Sequence, residues 1–413
     1  MKKVFILLFI ASLLILGGCS LNNKPATETV YIPESSPSQV ISTTPEITKP
    51  PSPSVPPSVS PSPTPEETNK EEITETVKSF DPYEIINTMS DEELVGQLFL
   101  ARAPDLSIAA EKAKEYHLGG YILFGNHTKY ESKESLKSHI DNIQNEANIT
   151  LLIAVDEEGG TVARISCYRQ YRDSTFPSPR KLYNEGGLSL ILKTESEKCN
   201  LLKSLGINLN LAPVCDITND NGAFMYSRSL GESPEITADY VKKLILLYKF
   251  KGMGTTLKHF PGYGNNKDTH TGIAADERSL NELITNDLIP FIKAINSGAD
   301  SILVSHTFIK ALDETKPASL SPLVINFLRK EMKFEGVIVT DDLFMEAITD
   351  LYGAKESAVL AIEAGADLLI STEFEIQYEA VLNALKEGRI KRENLEKSAA
   401  RVLIWKHKLG LIN

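Results

Sequence analysis

The chain has 413 residues, 42% of them hydrophobic and 24% charged, enough for one large domain or two ordinary ones. Its formal net charge of −12 argues against nucleic acid as a partner. No internal repeat is apparent.

The first elements in chain order are not fold material. "MKKVFILLFIASLLILGGCS" places Lys2 and Lys3 before an apolar run from Val4 to Leu16 and then small residues. This is the pattern of a secretory signal peptide, and the run is too short to span a bilayer as a permanent helix. "LGGC", ending at Cys19, resembles the lipobox of bacterial lipoproteins. The resemblance implies cleavage before Cys19, a diacylglyceryl group on its sulfur, and residence on the extracellular face of a bacterial cell membrane. An ordinary secreted protein with an incidental cysteine is the alternative. Residues 1–18 are therefore assigned to the signal peptide.

Residues 19–78 form the next segment. Twelve of the chain's 22 prolines lie between Pro25 and Pro65, mixed with Ser and Thr. Such a composition cannot bury a core and favours extended polyproline conformations, so a disordered tether is expected. At about 3.1 Å per residue it reaches at most about 190 Å. Besides Cys19 the chain has Cys167, Cys199 and Cys215, an odd number without close spacing. That is no disulfide framework, and small buried hydrophobes are the expectation.

From residue 79 to 413 short apolar runs alternate with longer amphipathic ones. The predicted strands are Gly96–Ala103, Gly119–Asn126, Leu151–Gly160, Ile207–Ile217, Gly254–Gly262, Ser301–Phe308, Gly336–Leu343 and Ala366–Thr372. Helical stretches such as "SPEITADYVKKLILLYKFKGM" lie between most of them. Continuous apolar strands separated by crossover helices indicate a parallel sheet. Eight βα units in about 335 residues predict an α/β fold, a (β/α)8 TIM-type barrel, with a doubly wound open sheet as runner-up.

Polar residues gather where these strands end. Asp156 and Glu158 end the third, Asp216 the fourth, Lys258 and His259 the fifth, His306 the sixth, and Asp341 and Asp342 the seventh. In a barrel the carboxyl ends of successive strands converge on one mouth, where barrel enzymes keep their active sites. A single charged strand end is also what a helix cap looks like, and Asp342 is read as a cap. The loop after the fifth strand adds "DTH", Asp268 to His270. Histidine suits proton transfer near neutral pH, and a neighbouring carboxylate orients it and supports its charged form. No Gly-rich phosphate loop or dinucleotide motif follows a strand, so no cofactor is expected. His259, His270, His306 and an aspartate could bind zinc, but they lack the tight spacing of a strong metal motif.

A family resemblance now joins these residues. "LKHFPGYG…DTH" resembles the "KHFPGHG…DSH" signature of family-3 glycoside hydrolases, in the branch of β-N-acetylglucosaminidases (β-hexosaminidases). "AVDEEGGTVAR" (Ala154–Arg164), "NLAPVCD" (Asn210–Asp216), "RSLG" (Arg228–Gly231) and "VTDDLFMEAI" (Val339–Ile348) resemble its other segments, in family order. The resemblance implies that Asp341 is the nucleophile, His270 the general acid/base and Asp268 its dyad partner. It implies that Asp156, Arg164, Arg228, Lys258 and His259 bind the sugar in the −1 subsite. Read without the family, Arg228 could be a buried structural ion pair and His259 a core histidine. Tyr263 departs from the pattern, standing where the family usually has a second His, and "NNK" before Asp268 is one residue shorter than the commoner form.

The expectation is a monomeric, membrane-anchored, retaining exo-β-N-acetylglucosaminidase acting on an aminosugar glycan or muropeptide, without metal or other cofactor. A phosphorylase and a catalytically degenerate wall-binding lipoprotein are the alternatives.

Overall fold

The computed structural model describes residues 80–265, 272 and 274–413. The predicted signal peptide, Cys19 and the predicted tether lie outside the described residues, as do Asp268 and His270.

The strands, in chain order, are β1 (Phe99–Arg102), β2 (Gly120–Leu123), β3 (Leu152–Val155), β4 (Leu209–Asn210), β5 (Gly254–Thr255) and β6 (Leu257–Phe260). Then follow β7 (Ala275–Asp276), β8 (Ser301–Val304), β9 (Phe308–Ile309), β10 (Val337–Thr340) and β11 (Leu369–Ser371). One sheet runs β11-β1-β2-β3-β4-β5 and a second β10-β8-β6, with every pairing parallel. Parallel bridges Val214↔Lys258 and Val339↔Leu368 join the two sheets at both edges. The strands thus follow one another around a ring in chain order, without the order reversal of a doubly wound sheet. Each predicted strand contains a ring strand. The fifth is interrupted at Thr256, which separates β5 from β6.

Helices follow the strands and cover the outside of the ring, as parallel connections require. Three of them start by the same local device. Ser178, Ser233 and Ser321 accept a hydrogen bond from the backbone N–H three residues on, and proline occupies the next position each time. Serine satisfies an orphan donor of the first turn, and proline there gives up an N–H with no intrahelical partner.

The side chains divide the apolar interior in two by the period of a strand. Leu100, Ile122, Leu152, Ala154, Leu209, Val337, Val339, Leu368 and Ile370 form the cluster inside the ring, with Trp405. Their neighbours Phe99, Ala101, Tyr121, Leu123, Ile153 and Val155 belong to the larger cluster under the helices. Successive side chains of a strand point to opposite faces, so each strand serves both cores.

Of the three downstream cysteines, Cys199 and Cys215 are buried, in keeping with the sequence reading. Cys167 departs from it. It is exposed, its thiol 3.2 Å from the Ala163 carbonyl, because it sits on an irregular connection rather than in an apolar element.

Candidate active site

The strand period also decides what enters the mouth of the ring. Two residues beyond Leu100, Ile122, Ala154, Val339 and Ile370, in phase with the inner core, stand Arg102, Phe124, Asp156, Asp341 and Thr372. All five line one cleft of about 780 Å³. Arg164, Arg228, Lys258 and His259 line it too, so six of the eight expected catalytic and sugar-binding residues share one cavity. The other two, Asp268 and His270, lie outside the described residues.

Glu158 is the centre of the cleft's charge network. It is buried and accepts from the Arg228 guanidinium at 2.7 and 2.9 Å, while Lys258 Nζ stands 2.7 Å from Glu158 Oε1. Lys258 Nζ also donates to Asp156 Oδ1 at 2.6 Å. Burial pushes the Glu158 carboxyl up, but Lys258 and Arg228 outweigh it and hold the group below the usual glutamate range. Burial in turn lowers Lys258, and Asp156 and Glu158 outweigh that, leaving its ammonium above the ordinary lysine value. A tight turn aims Glu158 inward. Gly159 and Gly160 have φ of +99° and +67°, and a Cβ on Gly159 would come within 2.4 Å of the Pro177 carbonyl.

The same segment is held from behind. Glu157, fully buried, accepts from the backbone N–H groups of Arg164 and Ile165, each at 2.8 Å, and so fixes the loop that carries Arg164. Asn210 brackets the Glu157 backbone with bonds of 3.0 and 3.1 Å. Lys198 donates to the Glu158 carbonyl at 3.0 Å and to Glu195 at 2.7 Å.

Lys258 and His259 are adjacent, and the peptide joining them is cis. His259 Nδ1 lies 2.8 Å from Asp216 Oδ2, and Nε2 lies 3.2 Å from the Arg228 guanidinium. Arginine only donates, so Nε2 accepts and Nδ1 carries the proton. The two readings of Arg228 and His259 therefore coincide: both are tied into a buried polar network, and both line the cleft. Asp216 also accepts from the N–H of Tyr263 at 2.7 Å. The Tyr263 ring is 1% exposed and meets His259 edge-on at 5.3 Å. The residue that departs from the family pattern is thus packed behind the histidine.

Asp341 follows β10 directly. Its N–H donates to Val304 of β8 at 3.1 Å, and its Oδ1 accepts from the N–H of Asp342 at 2.9 Å. Asp342 is not the cap the sequence suggested, since the N-cap of the following helix, Glu346–Ala364, is Met345. Asp342 instead accepts from the Thr372 N–H and hydroxyl beyond β11, and from the Phe344 N–H. Burial raises its carboxyl above the ordinary aspartate value. His306 Nε2 donates to the Asp342 carbonyl at 2.9 Å, and its Nδ1 faces Ser319 Oγ at 2.7 Å. His306 thus ties the turn that presents Asp341 to Ser319 of the Ala318–Leu320 segment. Among the described residues no group of three or more His, Cys, Asp or Glu could hold a metal ion.

The sequence reading did not single out Arg102. Its guanidinium lies 4.5 Å from the centroid of the Phe124 ring, with Arg164 on that ring at 5.9 Å. The Nε of Arg164 is buried with no hydrogen-bond partner among the described residues. One part of the cleft wall is thus cationic and aromatic, and Asp341 opens onto the same cleft. The signal that could have found Arg102 was the strand period, two residues beyond Leu100.

The arrangement provides a rigid strand-end carboxylate, fixed donors for hydroxyl groups and an acceptor in Asp156. Residues 90–404 match the family model described as the glycosyl hydrolase family 3 N terminal domain. The chain is similar to the β-hexosaminidase LpqI of Mycobacterium tuberculosis, 28% identical over 337 residues that cover 79% of this chain and 85% of the relative. It is 31% identical over 261 residues to the β-hexosaminidase of Hydrogenovibrio crunogenus, covering 61% of this chain and 71% of that one. Among solved structures it resembles a glycoside hydrolase family 3 β-N-acetylglucosaminidase from Paenibacillus sp. str. FPU-7, with a TM-score of 0.73 and 32% identity over 78% of this chain. It spans 63% of that longer chain. The structure of M. tuberculosis LpqI gives a TM-score of 0.72 at 27% identity, covering 79% of this chain and 96% of that one.

Proposed function

The chain belongs to glycoside hydrolase family 3, and from that premise we propose that it is a retaining exo-β-N-acetylglucosaminidase built on a TIM-type barrel. One observation carries the reading. Asp341, at the carboxyl end of β10, opens onto the same cleft as the Asp156–Lys258–Glu158–Arg228–His259 network. That network holds two cations and an acceptor rigidly enough to orient a sugar ring over the carboxylate.

In the first step an Asp341 oxygen attacks the anomeric carbon, and the glycosidic oxygen leaves with a proton from His270. In the second, His270 takes a proton from water, whose oxygen attacks the same carbon and frees Asp341. Two inversions give net retention. Asp268 orients His270 and supports its charged form before the first step and after the second. Lys258, Arg164 and Arg228 donate to hydroxyl and acetamido oxygens, and Asp156 accepts from a hydroxyl. The substrate class is terminal β-linked N-acetylglucosamine on wall-derived fragments or related glycans. Cleavage before Cys19 and its lipidation place the enzyme on the outer face of the membrane, with residues 19–78 as tether and 79–413 as catalytic domain.

The test follows hydrolysis of β-linked N-acetylglucosamine oligosaccharides and wall fragments by proton NMR. The β-anomer of N-acetylglucosamine should appear first and then mutarotate. Initial release of the α-anomer, or turnover that requires phosphate and yields the sugar 1-phosphate, overturns the proposal.

A further inference from the structure

The end of the ring opposite the cleft carries a surface that the proposed reaction does not use. The turns Gly252–Met253, Gly298–Asp300 and Lys333–Gly336 lie there, each leading into the start of a strand. The Pro234–Lys251 helix delivers its last turn to this end as Lys249, Phe250 and Lys251. Phe250 is 85% exposed, and Leu246, one turn earlier on the same face, is 51% exposed. Lysines are fastened around them. Lys249 donates to the Gly298 carbonyl, Lys203 to the Lys251 carbonyl at 2.6 Å, and Lys408 to Asp300 at 3.2 Å. Beside them opens a second cleft of about 370 Å³, lined by Lys249, Lys333, Arg401 and Lys408 and by the carboxylates Asp300 and Glu335, with Arg401 also paired to the buried Asp367 at 2.9 Å. In a chain of net charge −12 the lining of this cleft carries more cations than carboxylates.

The point where the chain enters the domain lies at the same end. Phe80 stacks on His407, ring centroids 4.2 Å apart and planes 6° from parallel, and His407 precedes Lys408. The helix dipole accounts for lysines in a last turn. It does not account for an exposed phenylalanine between two of them.

We infer that this end of the domain docks on an anionic lipid surface, with Phe250 entering the headgroup layer between Lys249 and Lys251. An apolar ring that inserts and cations that neutralise anionic headgroups are the two signals that hold a protein at a membrane surface. A soluble polyanion would satisfy the lysines and leave Phe250 in water, so the exposed ring selects lipid. Docked this way, the mouth of the ring faces away from the bilayer and toward glycan substrate. The inference is independent of the catalytic reading, because none of these residues lines the cleft that holds Asp341.

The test uses the full chain carrying Phe250→Trp. Trp405, the single native tryptophan, is 1% exposed, so a change in emission reports position 250. The protein is mixed with brominated-chain vesicles containing phosphatidylglycerol, and separately with phosphatidylcholine vesicles. Emission from the introduced indole should shift to the blue and be quenched on the phosphatidylglycerol vesicles alone, and high salt should reverse both changes. Adding Lys249→Glu and Lys251→Glu should abolish the quenching while circular dichroism stays unchanged. Absence of quenching on phosphatidylglycerol, or equal quenching on both lipids, overturns the inference. So does tight binding of polyphosphate with no vesicle-induced change at position 250.

Discussion

Glu158 receives both prongs of the Arg228 guanidinium, at 2.7 and 2.9 Å, with both groups buried. Removing one member of a buried pair leaves the other uncompensated, at a cost of about 3–5 kcal/mol. Here Glu158→Gln leaves Lys258 and Arg228 with Asp156 as their nearest shared countercharge. The variant should unfold in denaturant with a loss of that order, and its KM should rise because both cations lose their orientation. Its pH dependence should change as well. The folded Glu158 is held below the usual glutamate range, so its contribution is full above the unfolded pKa of about 4.3 and is lost as pH falls below it. Stability of the parent should therefore drop more steeply on acidification than that of Glu158→Gln.

Asp341→Ala should lower turnover by several orders of magnitude while sugar binding, measured by calorimetry, survives. The neighbouring Asp342 is committed to Thr372 and Phe344. Asp342→Asn should therefore disturb the turn and lower both activity and thermal midpoint, with part of the turnover remaining. Substantial hydrolysis by Asp341→Ala would reassign the nucleophile.

His270→Ala should discriminate between leaving groups. A nitrophenolate departs unprotonated and a sugar alkoxide does not, so glycosyl-enzyme formation should slow far more for a disaccharide. General acid catalysis typically contributes about 10²–10⁴-fold. With the nitrophenyl glycoside the variant should show a burst and then stall, and azide should relieve the stall as a β-glycosyl azide. Asp268→Asn should show a weaker form of the same behaviour. Equal losses with both substrates and no azide effect would place the acid elsewhere.

Cys19→Ala should move the enzyme from the membrane fraction to the medium with unchanged turnover when membranes are washed at high salt, which releases the proposed docking at Phe250. Equal retention of the variant would remove lipidation as the anchor.

Lys406 provides a stability test far from the cleft. It is fully buried, donates to Gln97 Oε1 at 2.9 Å, and burial pushes its pKa down to about 7. An unfolded lysine titrates near about 10.4. Between these values the unfolded chain binds a proton that the folded chain does not, so stability rises with pH across that window. The thermal midpoint of the parent should climb from about pH 7 to about pH 10 relative to that of Lys406→Met, in which this slope is absent.

Much of the site was legible because a strand has a period of two. Asp156 and Asp341 continue the phase of inner-core residues, and that phase can be read along the chain as apolar runs ending in charge. The glycines after Glu158 were read as the end of the third predicted strand, whereas they form a turn with positive φ. The role of Glu158 was not. As text it is a second acid near Asp156, and only the approach of Lys258 and Arg228, 100 and 70 residues away, makes it the group that holds both. Asp342 misled for the opposite reason. An aspartate before a helix resembles a cap until the partner strand brings Thr372 to its oxygens.

By itself the sequence determined the alternation of elements and the chemical types at the strand ends, because these depend on residue kinds along one stretch of chain. Tertiary structure alone decided which charges neutralise one another, where His259 directs its two nitrogens, and which buried carboxylates support the site. Those outcomes depend on distances between segments far apart in sequence. In a buried site a charge left without its partner keeps the full cost of its desolvation.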